Sequence, residues 1–289
     1  MIDVVSGVLL SVSILLSTSR NVLTKNVSNE QFGTKRFFFI QTLIFFSGTA
    51  LLLCLNIGTC LRISALTAIL ALIYGTLLVL AQWNYTLALK NGKTGICSTV
   101  YSLGFILPTI FGPLAYRETF SVYDLLGVLI VIPVIILTGM KKVDDEKKGT
   151  GYFIPLLIAM ACSGGLGIMQ KVQQHSAYAD ERTCFMLLAF SFATACSLLG
   201  LCFSKERKEL LFDKKVFSGI GIGLAFASCN LLNTILAGKL PSTVFFPVLN
   251  VGTILFSLIL GILCFKEKLT KKDGLIFSLG VISILLIAI

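Results

Sequence analysis

The chain has 289 residues, 56% hydrophobic and only 13% charged, with a mean hydropathy of +0.92. A soluble domain carries roughly 25% charged residues, so this composition excludes an ordinary water-facing surface and makes lipid the solvent. The net charge of +10 is crowded into short gaps between apolar runs, which fits cytoplasmic loops rather than a nucleic-acid surface. The expected partner is therefore the bilayer, with no nucleic acid.

A bilayer core of about 30 Å takes roughly 20 apolar residues per helix. Bare backbone cannot face lipid, and the alternation of a barrel strand is absent, so the spans must be helical. The pattern predicts ten helices, at about 3–22, 36–55, 64–88, 94–116, 121–140, 152–173, 183–203, 216–238, 241–264 and 273–289. No basic segment precedes helix 1 and no small-residue cleavage site follows it, so it is expected to remain as an anchor.

Helix 1 closes on Ser17, Ser19, Arg20 and Asn21. Arginine at a helix centre costs about 2.5–3.5 kcal/mol on the insertion scale. Near the expected helix end, Arg20 is read as extending to the interface, with attraction of a substrate carboxylate or phosphate as the sharper alternative. Lys25 and Lys171 carry the same two readings. Helix 3 ends with Gln82, Trp83 and Asn84, and helix 8 carries Asn230 and Asn233. Amides in hydrocarbon need partners, and interhelical bonds contribute roughly 0.6–2 kcal/mol. These residues are therefore either a helix clamp or the lining of a cavity. Helix 4 carries Ser98, Thr99 and Tyr101, and helix 9 carries Asn250 and Thr253. They suit a hydrated site for hydroxyl, amide or zwitterionic groups, or else bond to their own helices.

In helix 6, Ser163, Gly164, Gly165 and Gly167 mark close packing or a hinge, and Gly219-x-x-x-Gly223 in helix 8 reads as a packing face. Asp124 and Asp273 open helices 5 and 10, where the helix dipole favours a carboxylate. Glu118 and Glu267 fall at helix ends, and no Asp or Glu lies mid-helix. That disfavours a cationic-drug antiporter and assigns no proton carrier. The single histidine, His175, sits in the loop after helix 6 and is expected to be exposed. The nine cysteines contain no C-x-x-C pair and read as small apolar fillers, so no metal or disulfide framework is expected.

Self-similarity organises these marks. Under a shift of 149 residues, Tyr116-Arg117-Glu118 falls on Phe265-Lys266-Glu267, Asp124 on Asp273, Gly112 on Gly261 and Asn84 on Asn233. Tyr101 falls on Asn250, and at 146 residues Ser17 and Lys25 fall on Ser163 and Lys171. The chain reads as two five-helix units, 1–140 and 152–289, joined by a charged linker at 141–151. Five is odd, so the second unit enters from the opposite side and the repeats are inverted, a common construction for secondary transporters. The loops after odd-numbered helices hold nineteen Lys and Arg against five in the others. That bias puts the basic set in the cytoplasm and both termini outside.

Helices 4 and 9 also end alike. Each has an aromatic, a base, a glutamate and then Ser or Thr: Tyr116-Arg117-Glu118-Thr119-Phe120-Ser121 and Phe265-Lys266-Glu267-Lys268-Leu269-Thr270. With the duplicated unit, this resembles the ten-helix EamA-domain proteins of the drug/metabolite transporter superfamily over essentially the whole chain. Arg117 and Lys266 stand where that family often has Gly. The resemblance implies an alternating-access secondary exporter of a small polar metabolite such as an amino acid, with no cofactor and no catalytic residue. Relatives carry nucleotide sugars or cationic drugs, and the resemblance implies cytoplasmic termini, opposite to the loop charges.

The expected site comprises Asn84, Trp83, Gln82, Tyr101, Ser98, Asn230, Asn233, Asn250, Thr253, Arg20 and Ser17. The alternatives are a lipid-linked-sugar or nucleotide-sugar translocator and a membrane-embedded lipid enzyme. One histidine and no helical carboxylates speak against the enzyme. No Gly-rich phosphate loop supports ATP coupling. The expected location is a membrane, the plasma membrane for a bacterial source, and monomer and homodimer are both compatible with the sequence.

Overall fold

The computed structural model describes residues 4–28, 34–56, 63–116, 121–139, 150–204, 217–240, 242–266 and 270–287. The regular elements among them are all helical: α1 (Val4–Ser28), α2 (Thr34–Leu55), α3 (Ala65–Asn91), α4 (Thr94–Ser102), α5 (Ile106–Tyr116), α6 (Val122–Gly139), α7 (Phe153–Gln174), α8 (Arg182–Phe203), α9 (Ser218–Lys239), α10 (Ser242–Phe265) and α11 (Lys271–Ile287). Short 3₁₀ turns join α4 to α5 and precede α7 and α8. Eight stretches, counting α4–α5 as one, are long and apolar enough to cross a membrane among the described residues. The chain is an all-α, multi-pass membrane protein. Glu118, Glu267 and most of the 141–151 linker lie outside the described residues, as does the side chain of Asp124.

Polar and apolar groups are arranged for lipid. On α3, Leu66, Ile69, Ile73, Leu80 and Leu87 point outward at helical spacing, while Gln82 and Thr86 are buried. Helix α1 runs to Ser28, past the expected end near 22. The reason is a lysine that serves a neighbour. Lys25 Nζ donates to the carbonyls of Leu89 (2.7 Å) and Gly92 (2.6 Å), where α3 ends. Terminal carbonyls lack intrahelical partners, and a cation there is favoured by the dipole. A charge that reads as the start of a loop is thus a cap inside the bundle.

The expected fourth helix is broken, with α4 and α5 separated by the turn Leu103–Phe105. Pro108 offers no N–H to the Gly104 carbonyl and its ring crowds that position. The turn also receives α7: a Cβ on Gly104 would lie 2.2 Å from the Met160 carbonyl, and one on Gly164 would lie 2.3 Å from the Gly104 carbonyl. Gly164 is therefore a close-packing residue, and so is Gly223, whose Cβ would lie 2.0 Å from the Ile44 carbonyl.

Helices α3 and α7 pack along each other, as do α1 and α9, and α2 meets α8. Helices α6 and α11 form a further pair, where Ser283 Oγ donates to the Gly127 carbonyl (2.6 Å). The connections sort into two ends. At one, Lys93, which precedes α4, pairs with Asp273 of α11, and Asp273 accepts from the Thr270 N–H (2.8 Å). Asp273 thus has the helix-opening role expected of it. At the other, Glu181 accepts from the N–H and Oγ of Ser64, holding the start of α3 (2.9 Å to Oγ). Tyr116 stacks on His175 there, with ring centroids 4.2 Å apart. His175 is exposed as expected.

Candidate functional site

A cavity of about 100 Å³ opens among α1, α4–α5, α7, α9 and α10. Ser17, Arg20, Tyr101, Asn230, Asn233, Asn250 and Thr253 are among the residues that line it. Seven of the eleven expected residues therefore meet at one place.

Arg20 dominates the electrostatics. It is 6% exposed and sits well inside α1 because that helix continues to Ser28. The expectation that it reaches the interface is corrected on this point. Its guanidinium carbon lies 4.6 Å from the centroid of Phe226, 5.2 Å from that of Tyr101 and 5.4 Å from that of Tyr85. Three ring faces stabilise the cation, each by about 0.5–2 kcal/mol. Its hydrogen bonds are few: Nη2 donates to Asn21 Oδ1 at 3.3 Å, the Tyr101 side chain accepts another, and Nε has no partner among the described residues. Asn21 is oriented by donating from Nδ2 to Ser98 Oγ (3.2 Å) and Ser257 Oγ (3.1 Å). Ser98 thus supports the cavity from behind rather than lining it.

The α9 amides divide their work. Asn230 Oδ1 accepts from Tyr74 Oη (2.6 Å), and Gln170 Nε2 donates to that same hydroxyl (2.9 Å). This chain links α3, α7 and α9 and fixes both amides at the cavity wall. Asn233 Oδ1 accepts from Ser13 Oγ (2.6 Å), while its Nδ2 approaches the Cys229 sulfur at 3.4 Å. Asn250 Nδ2 and Thr253 Oγ1 donate back to their own helix, to the carbonyls of Phe246 (2.7 Å) and Leu249 (2.8 Å). Their remaining lone pairs can accept from a guest.

Gln82, Trp83 and Asn84 lie elsewhere. Gln82 and Gln41 both donate to Thr86 Oγ1, a clamp between α2 and α3 (3.4 and 3.3 Å). Trp83 and Asn84 line a separate groove of about 510 Å³ with Phe37, Phe38 and Lys90. Asn84 Nδ2 donates within its own helix to the Leu80 carbonyl (2.8 Å). Conversely, Gln170, Phe226 and Cys229 line the cavity and were not expected there. Helical spacing from Ser163 through Gly167 would have pointed to Gln170. Phe226 carried no signal among so many apolar residues. No cluster of three or more His, Cys, Asp or Glu exists among the described residues to hold a metal.

No protein-family model matches the chain, and no curated protein does. A solved structure described only as a crystal structure of a protein is similar in fold, with a TM-score of 0.65 at 15% identity. The match covers 97% of this chain and 95% of that one. At that identity the likeness speaks to fold alone.

Proposed function

We propose that this chain is a secondary carrier of a small neutral, zwitterionic or anionic metabolite, working as an exporter in the manner of ten-helix EamA-domain proteins. In this reading α6 and α11 also span the membrane, and the chain forms two inverted five-helix repeats that rock about the cavity. The observation that carries it is a polar cavity containing a buried cation, enclosed by helices with apolar outer faces. Polar groups inside a bilayer are costly, and they mark substrate paths.

The packing supports the repeats. Exchanging the halves turns α1 against α9 into α7 against α3, and leaves α2 against α8 and α6 against α11 unchanged. Related positions also line the cavity together: Ser17 with Ser163, Asn21 with Gly167, and Tyr101 with Asn250. A site between such repeats is the geometry alternating access requires. The test is a panel of radiolabelled metabolites offered to purified protein in liposomes. Saturable exchange of at least one small metabolite is expected; a panel that crosses no faster than through protein-free liposomes overturns the reading.

A further inference from the structure

We infer that Arg20 is the anion-binding group of the cavity and that the favoured guest is a small monocarboxylate of net negative charge. The movement of this guest rests on the carrier reading; its binding does not.

The argument begins with unused donors. A guanidinium has five N–H groups in a planar fork. In Arg20 one donor makes a long bond to Asn21, the Tyr101 side chain takes another, Nε makes none among the described residues, and the side chain lines the cavity. The surrounding rings shield the cation without neutralising it, and a carboxylate meets a guanidinium fork in two parallel hydrogen bonds. A buried cation normally has a carboxylate beside it. No Asp or Glu among the described residues lines this cavity. The structure thus supplies a desolvated positive charge and leaves its counter-ion to the guest.

Charge balance narrows the class. A neutral guest leaves the cation uncompensated. A zwitterion brings an ammonium and meets no acidic side chain. A phosphate monoester carries about −1.5 to −2, more than one arginine offsets. The other buried cations nearby do not line the cavity: Lys25 is bound to the end of α3, and Lys171 lies 6.0 Å from the Tyr116 ring. A single negative charge fits a single arginine. Size agrees: a cavity of about 150 Å³ accommodates benzene, so about 100 Å³ suits a carboxylate with only a few further atoms. Asn233 and Asn250 remain for a second polar end.

The experiment compares glycolate, glycolamide and glycine, which have equal numbers of heavy atoms but are anionic, neutral and zwitterionic. Binding to purified full-length protein in detergent is measured by calorimetry. Wild type should bind glycolate at least tenfold more tightly than the other two. Arg20→Gln should weaken glycolate by about tenfold to a hundredfold, the range of a charge-assisted hydrogen bond, and leave glycolamide within twofold. Arg20→Lys, which keeps charge but not the fork, should fall between. Equal affinity for the three, no glycolate binding, or undiminished glycolate binding by Arg20→Gln overturns the inference. The wild-type comparison needs no substitution, so it stands even where a variant fails to fold. Glycolate binding that depends on Arg20 without uptake in liposomes would uphold this inference and end the carrier reading. Uptake with no preference for the anion would do the reverse.

Discussion

Asn84 and Asn233 coincide under the 149-residue shift, yet their surroundings differ. Asn233 lines the central cavity and accepts from Ser13, while Asn84 lines the outer groove and bonds to its own helix. Asn233→Leu should therefore lower exchange flux in liposomes at least tenfold, and Asn84→Leu should stay within twofold of wild type. Equal losses from the two would return them to a symmetric pair. The sequence announced both residues as rare polar groups in hydrocarbon. It could not say which faced inward, because duplication fixes equivalence and not environment. Arg20 was misjudged for a related reason. A helix end read from charge is unreliable when the charge has an internal partner, and Lys25 capping α3 is such a case.

Among the elements, helix existence was legible because apolar runs of membrane length leave little else for the backbone to do. The break between α4 and α5 was less so, although Pro108 and Gly104 both stand in the sequence. Proline in a membrane helix is often absorbed without interruption. Here the contact of α7 with Gly104 accompanies the break. Glycine spacing was a better guide. Gly223 brings α9 onto α2, and a Cβ would also meet Ser47 Oγ at 2.1 Å. Gly221, two residues earlier, has its nearest neighbour at 3.4 Å, on the flexible Leu23 side chain. Gly223→Ala should cost about 1–3 kcal/mol, as overpacking does, and Gly221→Ala should be near neutral. Thermal unfolding in detergent measures both; equal midpoints would contradict the close approach of α9 and α2.

For the whole molecule, the alternation of basic and sparse loops anticipated two ends. The Lys93–Asp273 pair and the Lys25 cap lie at one, and the Glu181–Ser64 contact and the Tyr116–His175 stack at the other. Arg20, Lys25 and Lys171 belong to no loop, since all three are buried in helices. Their removal leaves the bias standing. Cysteine labelling in the loop after α10 tests its sense. Failure to react with an impermeant external reagent in intact cells is expected; reaction would place that basic end outside and favour cytoplasmic termini.

Alternating access makes the sharpest demand on this architecture, and Cys229 lies on the cavity wall to report it. The measurement is labelling of Cys229, with the other eight cysteines replaced, by an impermeant thiol reagent applied separately to each face of a liposome. The account predicts reaction from both faces; reaction from only one, or from neither, would contradict it.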